Sequence, residues 1–191
     1  MKIAITGHRP NKLGNDYDLT SNLIRDIENR ISEIILKYYP ENGTRPTLIT
    51  GMALGIDTLF AKMAIRLNIN FIAAIPFRGQ HSKWVSKSVN TYMNLLTKAD
   101  KVYLVDEEVY LGSIEPSVFH EWLRPNNYSP EKLQLRNQWM VDNCDLLIAV
   151  WDKSSGGTAN CVKYAQSINK EIIFINPNDY KEIRKGSLKP L

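Results

Sequence analysis

Two glycine-containing segments have the composition of loops that bind anions. The first reads Gly-Met-Ala-Leu-Gly-Ile-Asp over residues 51–57, and the second reads Gly-Gly-Thr-Ala-Asn over residues 156–160. Each follows an apolar run and precedes a helical pattern, so that backbone N–H groups and a helix N-terminus can face a phosphate. Either segment alone is equally compatible with a plain structural turn, but two of them at one sheet edge favour a phosphorylated ligand.

We therefore expect the main-chain amides of residues 51–55 and 156–158 to converge on one anion. Asp57 and Asn160 are candidates to bind ribose hydroxyls, although Asp57 also suits the first turn of a helix. The candidate residues from the two loops are Gly51, Met52, Gly55, Asp57, Gly156, Gly157, Thr158 and Asn160.

The first apolar run ends in Gly7, His8 and Arg9, which suggest a third contribution to the same site. Gly7 permits close approach of the backbone, and the guanidinium of Arg9 is a fork that matches phosphate geometry. His8 can donate a hydrogen bond or act in acid–base chemistry. The alternative is a tight turn with exposed polar side chains.

Two more groups complete the candidate site. Pro76, Phe77, Gln80 and Trp84 follow the third apolar run, where an aromatic ring can stack on a base and Gln80 can bind its edge. A buried aromatic pair is the alternative for Trp84. Arg136 and Asn137 lie on a predicted helix, from which Arg136 can reach a phosphate across a cleft or simply remain exposed.

The elements that must position these residues alternate between strand and helix. Continuous apolar, β-branched runs predict strands over residues 3–6, 48–50, 71–75, 102–105, 146–151 and 172–175. Helical periodicity predicts helices over residues 20–38, 57–67, 83–96, 130–143 and 158–169, with a further candidate over 180–184. This order predicts an α/β, Rossmann-like, doubly wound and mainly parallel sheet with helices on both faces. In such sheets ligands bind outside the carboxyl ends of the strands.

Composition predicts one soluble domain over residues 1–191, with a lid-like excursion at about 106–129. The chain is 43% hydrophobic and 23% charged, and its net charge of +4 suits an anionic ligand. Lys and Arg are scattered, which does not favour nucleic acid. Cys144 and Cys161 lack the spacing of a zinc site or disulfide framework, so we expect no metal and no cofactor. Without a signal-like or membrane-spanning apolar stretch, a cytoplasmic protein with no membrane partner is expected.

Five ordered motifs resemble the YspA/YpsA-like family of the SLOG superfamily of bacteria and their phages. They are residues 6–10 (Thr-Gly-His-Arg-Pro), 51–57, 76–80 (Pro-Phe-Arg-Gly-Gln), 136–142 (Arg-Asn-Gln-Trp-Met-Val-Asp) and 156–160. The superfamily includes the DNA-processing protein DprA and the LOG-type phosphoribohydrolases. The resemblance implies a Rossmann-like fold, a pocket for nucleotides or nucleotide-derived ligands such as ADP-ribose, and a homodimer or higher homo-oligomer.

The resemblance leaves open whether the chain is an enzyme. Aligning Gly157 and Thr158 on the Gly-Thr of the LOG-type loop puts Cys161 where those enzymes carry a catalytic Glu. A thiol of ordinary pKa is a poor replacement for that carboxylate, and Cys161 also fits as a small buried hydrophobe. The catalytic residues are therefore unknown. The leading hypothesis is a sensor or sequestering protein for a nucleotide-like ligand. The alternatives are a nucleoside-monophosphate phosphoribohydrolase and a DprA-like binder of single-stranded DNA.

Overall fold

The fold is organised around a central strand, β1 (Lys2–Gly7), whose apolar residues are buried on both sides. The computed structural model describes residues 1–39, 43–112, 128–179 and 182–185. Within this part of the chain, eight strands form one sheet in the order β5-β4-β3-β2-β1-β6-β7-β8. The other strands are β2 (Thr47–Thr50), β3 (Phe71–Ile75), β4 (Lys101–Leu104), β5 (Val109–Leu111), β6 (Leu146–Val150), β7 (Glu171–Ile175) and β8 (Glu182–Lys185).

Strands β1 to β4, β6 and β7 are parallel, and the two edge strands are antiparallel. The chain moves outward from β1 through β2 and β3 to β4, then returns to β6 on the other side of β1. In register, Ile3 of β1 lies opposite Leu48 of β2 and Leu146 of β6. The point where the strand order reverses therefore lies beside β1, and a crevice opens there at the carboxyl ends of the strands.

Five helices cover the two faces of the sheet: α1 (Asn22–Lys37), α2 (Ile56–Arg66), α3 (Ser86–Leu96), α4 (Pro130–Asp142) and α5 (Gly157–Ser167). Helices α1 to α3 pack on one face, and α4 and α5 pack on the other. The isoleucines of α1 recur at helical spacing and are all buried, which explains why this segment forms a helix against the sheet. The doubly wound, Rossmann-like α/β fold is confirmed.

Two predictions from the sequence need correction at the sheet edges. Residues 180–184 do not form a helix in their described part, because β8 begins at residue 182 and pairs with β7. The excursion at 106–129 begins with a short 3₁₀ turn, Val105–Glu107, and with edge strand β5. Residues 113–127 of that excursion lie outside the described residues. No helix in the described ranges is long and apolar enough to cross a membrane.

A stretch between β3 and α3 buries a histidine among aromatic rings. The His81 ring stacks on Tyr92 at a centroid distance of 4.9 Å and meets Trp84 edge-on at 6.5 Å. In the described part of the chain, both ring nitrogens of His81 lack a hydrogen-bond partner. Burial lowers the pKa of His81, because the imidazolium form would lose its hydration. His81 is therefore neutral in the folded protein at neutral pH.

This burial makes stability depend on pH. In the unfolded chain a histidine titrates near pH 6.5, so below that pH the unfolded state binds a proton that folded His81 resists. The stability gained from neutral His81 is fully present above pH 6.5 and is lost as the pH falls below it. When the pH is lowered from about 7 to about 5, the free energy of unfolding should fall less in His81→Phe than in the wild type, as measured by urea unfolding. Trp84→Phe, which keeps His81, should retain the wild-type slope. Equal slopes for His81→Phe and wild type would contradict this origin.

Candidate functional site

A cavity of about 250 Å³ opens at the point where the strand order reverses. Four segments line it: the end of β1 and its loop, the start of α2, the middle of α4, and the start of α5. Their lining residues are Thr6, Gly7, His8, Arg9, Asn11, Lys12, Ala53, Asp57, Leu133, Arg136, Asn137, Ser155, Gly156, Gly157 and Thr158. Arg9, Lys12 and Arg136 carry a positive charge and Asp57 is the one carboxylate among these residues, so the cavity favours an anion.

The N-terminus of α5 points the main-chain amides of its first turn toward this cavity. Gly156 is the N-cap residue and has no side chain, so no side-chain oxygen caps the first turn. Gly157 and Thr158 follow it and line the same cavity. The orphan N–H groups and the positive end of the helix dipole make such a terminus suitable for a phosphate.

A lysine ties the loop before α5 to the loop after β1. The ammonium group of Lys12 donates to Ser154 Oγ at 2.6 Å and to the Ser155 carbonyl at 3.0 Å. Lys12 lies at the end of a short 3₁₀ turn, Pro10–Lys12, and also lines the cavity. A cation is therefore held beside the open helix terminus, where it adds to the positive potential.

His8 and Asp152 make a second tie between the same two loops. His8 Nε2 lies 2.8 Å from Asp152 Oδ1 and 3.1 Å from the Asp152 main-chain nitrogen. With a hydrogen on Nε2 the ring donates to the carboxylate, and without one it accepts from the amide. Burial lowers the pKa of His8, and Asp152 partly opposes this shift. Burial alone would raise the pKa of Asp152, but hydrogen bonds from Ser154 and the contact with His8 lower it to about 2.

The loop over residues 51–55 is arranged differently from the one before α5. The amide of Met52 donates to Thr50 Oγ1 at 3.3 Å, that of Ala53 to Asp57 Oδ2 at 3.3 Å, and that of Ile56 to the His8 carbonyl at 3.2 Å. Ala53 of this loop lines the same cavity as Gly156 and Gly157. In the first loop, however, these amides are already hydrogen-bonded within the protein, so its contribution to the cavity is Ala53 and the side chain of Asp57.

A buried ion pair lies in the wall of the cavity. Arg136 Nη1 lies 3.6 Å from Asp57 Oδ2, and both side chains are 8% exposed. The same nitrogen donates to the Gly51 carbonyl, while Nε donates to Asn137 Oδ1 at 3.0 Å. A Cβ at residue 51 would overlap the guanidinium, so glycine is required there for close approach rather than for an anion. Arg136 is therefore buried, not exposed.

The charges of this pair depend on each other. Burial raises the pKa of Asp57 and lowers that of Arg136, and each partner opposes the shift of the other. A guanidinium does not deprotonate in proteins, so Arg136 remains a cation and Asp57 is its counterion. The charge of Arg136 is consequently balanced by Asp57 and contributes little to the attraction of an anionic ligand.

Several residues predicted for the site lie elsewhere. Gln80 donates from Nε2 to the Met52 carbonyl at 2.9 Å, so it braces the 51–55 loop. Phe77 is buried and meets Tyr128 edge-on at 6.2 Å, and Trp84 packs against Tyr92 at 5.4 Å. Pro76, Met52, Gly51 and Gly55 are not among the described lining residues of this cavity.

Asn160 also lies outside the cavity, in a groove between α4 and α5 with residues such as Gln138 and Tyr164. One turn of helix separates Asn160 from the open terminus, and the helix rotation carries its side chain to the outer face. Its predicted role with a ribose is therefore not supported by its position.

Sequence analysis missed Asn11, Lys12, Leu133 and Ser155, which line the cavity, and Asp152, which contacts His8. Lys12 and Asp152 each lie within five residues of a segment that was recognised. A search for basic and acidic residues flanking the two strand ends would have found them. Leu133 carries no such signal, since it lies one turn before Arg136 on the helix.

Cys161 is fully buried beneath the cavity. Burial is the main cause that raises the pKa of its thiol to about 12, and Thr6 forms a side-chain hydrogen bond with it. The expectation of a small buried side chain is confirmed. Cys144 is also buried and free. Among the described residues, no group of three or more His, Cys, Asp or Glu side chains is placed to bind a metal.

Comparison with known proteins identifies the family. Residues 3–123 match the model of the YspA SLOG family, including the strand ends at residues 6–10 and 51–57. The chain belongs to this family. Helices α4 and α5, which supply the other wall of the cavity, lie beyond the matched residues.

Relatives include a protein encoded by a prophage. The SPbeta prophage-derived protein YoqJ of Bacillus subtilis (strain 168) is 35% identical over 142 residues, covering 71% of this chain and 75% of YoqJ. A UPF0398 protein of Bacillus thuringiensis (strain Al Hakam) is 23% identical over 178 residues, covering 89% of this chain and 84% of the relative.

Two solved structures share the fold. DprA from Streptococcus pneumoniae matches with a TM-score of 0.56 and 16% identity, over 92% of this chain and 50% of that chain. DprA from Helicobacter pylori, which binds single-stranded DNA, matches with a TM-score of 0.53 and 14% identity, over 92% and 65% respectively. The present chain thus spans about half the length of the streptococcal protein. At these identities the likeness shows a common Rossmann-like fold.

The buried ion pair predicts a large effect on stability. Arg136→Met leaves the Asp57 carboxylate buried without its counterion, so we expect a loss of about 3–5 kcal/mol in unfolding free energy, measured by urea denaturation. In the double variant Arg136→Met, Asp57→Asn the unpaired charge is gone, and the loss should be clearly smaller. A loss below about 1 kcal/mol for the single variant, the size typical of exposed ion pairs, would show that the pair is not structurally important.

Proposed function

We propose that this protein binds a nucleotide or a nucleotide-derived phosphorylated small molecule and acts as a sensor or sequestering protein. The observation that carries the proposal is the meeting of the open N-terminus of α5 with Arg9 and Lys12 in one cavity. In this proposal the amides of Gly157 and Thr158 bind a phosphate, and the two exposed basic side chains neutralise its charge.

The ribose contacts come from the wall opposite α5. Asp57 lines the cavity and pairs with Arg136 through Oδ2, and in this proposal its other oxygen accepts from a ribose hydroxyl. Asn137 also lines the cavity, and its amide donates to the Gly157 carbonyl at 3.4 Å. A long bond of this kind is easily exchanged for one to a ligand hydroxyl. Arg136 supports the site by holding Asp57 and the Gly51 carbonyl in place.

Binding without hydrolysis is favoured over a phosphoribohydrolase activity. The position of the LOG-type catalytic Glu holds Cys161, whose thiol is fully buried and has a pKa raised to about 12. Such a thiol neither stabilises a developing ribosyl cation nor activates water at neutral pH. Asp57 is the one carboxylate in the described lining of the cavity, and Arg136 engages it in an ion pair within the protein.

A small molecule is also favoured over single-stranded DNA. Binding of single strands relies on aromatic platforms along a basic groove. The described lining of the cavity contains no Phe, Tyr or Trp. We further propose that the protein acts in the bacterial cytoplasm, consistent with relatives from Bacillus and a prophage. Its assembly as a homodimer or higher homo-oligomer stays a prediction.

The phosphate site is tested by placing a charge on α5. Thr158→Asp sets a carboxylate at the helix terminus, where it repels a phosphate, so the affinity for AMP and ADP-ribose should fall at least about 100-fold in isothermal titration calorimetry. Thr158→Val removes only one hydroxyl and should cost about tenfold or less. If Thr158→Asp keeps the wild-type affinity and an intact circular dichroism spectrum, the phosphate does not bind at the N-terminus of α5.

Two further measurements separate the alternatives. Chromatography of AMP incubated with the wild-type protein should show no released adenine, whereas stoichiometric or catalytic release would establish the hydrolase. A fluorescent single-stranded oligonucleotide should show weak or no binding at low salt. Tight binding that falls steeply with added salt would instead favour the DNA-binding function.

A further inference from the structure

A second cavity lies next to the first at the same edge of the sheet. Its volume is about 330 Å³, and it lies between the loop before α1, the first turns of α2 and the N-terminal half of α3. Neighbouring residues of α2 face the two cavities: Asp57 lines the first, and Thr58 lines the second. The two cavities therefore share one helix start.

The partition between them is only one backbone layer thick. Gly55 lines the second cavity, and a Cβ at this residue would lie 2.9 Å from Arg9 Cα. The φ angle of Gly55 is +94°, which an L side chain rarely adopts. Glycine thus allows the two loops to touch, and the Ile56 amide donates to the His8 carbonyl across this contact at 3.2 Å. The exposed side chain of Arg9 belongs to this partition and lines the first cavity.

The second cavity combines apolar surface with hydroxyl and charged groups. Tyr17 and Val85 are 53% and 67% exposed and form apolar walls. Lys62 and Lys87 supply two ammonium groups, of which that of Lys87 pairs with Asp18 Oδ1 at 2.6 Å, and Ser88 supplies a hydroxyl. Aromatic or aliphatic walls with a few polar groups are typical of sites for small molecules. A nucleoside or phosphorylated sugar has this mixture of apolar faces, hydroxyls and negative charge.

The loop that forms one side of this cavity is held in a strained conformation. Leu19 has a φ angle of +61°, a region that non-glycine residues rarely occupy. The carboxylate of Asp16 fixes it by accepting from the amides of Leu19 at 2.7 Å, Thr20 at 2.7 Å and Ser21 at 2.6 Å. Strained residues persist where surrounding contacts determine them, and they cluster at ligand sites. The wall of the second cavity is therefore preformed.

From these observations we infer that the ligand is a two-part molecule of the dinucleotide class, with its two halves in adjacent cavities. One ribose-containing half occupies the cavity at the α5 terminus, with the first linking phosphate on the α5 amides. The second linking phosphate lies over the partition beside Arg9, and the other half occupies the cavity beside Lys62 and Ser88. This inference rests on the proposed function. The first cavity, of about 250 Å³, is below the range of about 300–1,000 Å³ for small-molecule sites, and the second, of about 330 Å³, is near its lower end, whereas together they suit a larger ligand.

The test compares AMP with ADP-ribose in isothermal titration calorimetry. The wild type should bind ADP-ribose at least about tenfold more tightly than AMP, because only ADP-ribose fills both cavities. Ser88→Trp fills the second cavity and should reduce the affinity for ADP-ribose to that for AMP, while leaving AMP unchanged. Asn90→Trp places the same side chain on an exposed position of α3 outside the cavity, and it should behave as the wild type. Lys62→Ala, a smaller change, should lower the ADP-ribose affinity alone.

The outcomes separate this inference from the proposed function. Equal affinities of the wild type for AMP and ADP-ribose would overturn the two-part ligand and leave the phosphate site standing. If Ser88→Trp and Lys62→Ala both still bind ADP-ribose more tightly than AMP by the wild-type factor, the two-part ligand is overturned as well. If the wild type binds neither compound, the proposed function and the two-part ligand both fail.

Discussion

The burial of one guanidinium group constrains the whole region where the strands end. Arg136 comes from α4 on one face of the sheet, and its partners, Asp57 and the Gly51 carbonyl, come from the opposite side and from the end of β2. A buried cation must satisfy its donors, so α4 cannot shift without leaving a charge unpaired. This requirement fixes the distance between α2 and α4, and with it the width of the cavity between them. Polar contacts therefore set the geometry of the site, while the apolar sheet only supports it.

The same constraint explains why the two glycine loops have different roles. Around residues 51–55 the amides of Met52 and Ala53 donate to Thr50 and Asp57, and the amide of Ile56 donates to the His8 carbonyl, which produces a rigid wall. Before α5 the first turn has no cap from a side chain and stays available to a ligand. Rigid walls reduce the entropy lost on binding, and one open helix terminus concentrates the positive potential. A site of this kind is suited to recognising an anion with little rearrangement.

The sequence predicted the fold well because its inner strands are continuous apolar runs. The run over residues 71–75 matches β3 at both ends, and every residue of β3 is buried. Strands β5 and β8 escaped prediction, because a strand of three or four residues at a sheet edge is stabilised by its neighbour rather than by its own pattern. The site was predicted in part. Loops at strand ends can be located from glycine spacing, but the burial and direction of a side chain cannot. Glycine spacing therefore did not predict that Arg136 would be buried in an ion pair, or that Asn160 would lie outside the cavity.

The hydrogen bonds from Lys12 to the loop before α5 determine how a bound phosphate changes the protein that a partner meets. An ammonium group has three donor hydrogens, and Lys12 uses two of them on Ser154 and Ser155. A phosphate that accepts the third would crosslink the segments after β1 and β6 without displacing either one. The ligand-bound protein would then differ from the free protein in the amplitude of its loop fluctuations more than in its average structure. A partner that binds these loops would sense the ligand through the loss of conformational entropy. Hydrogen exchange at residues 152–156 is the observable in which such stiffening is visible.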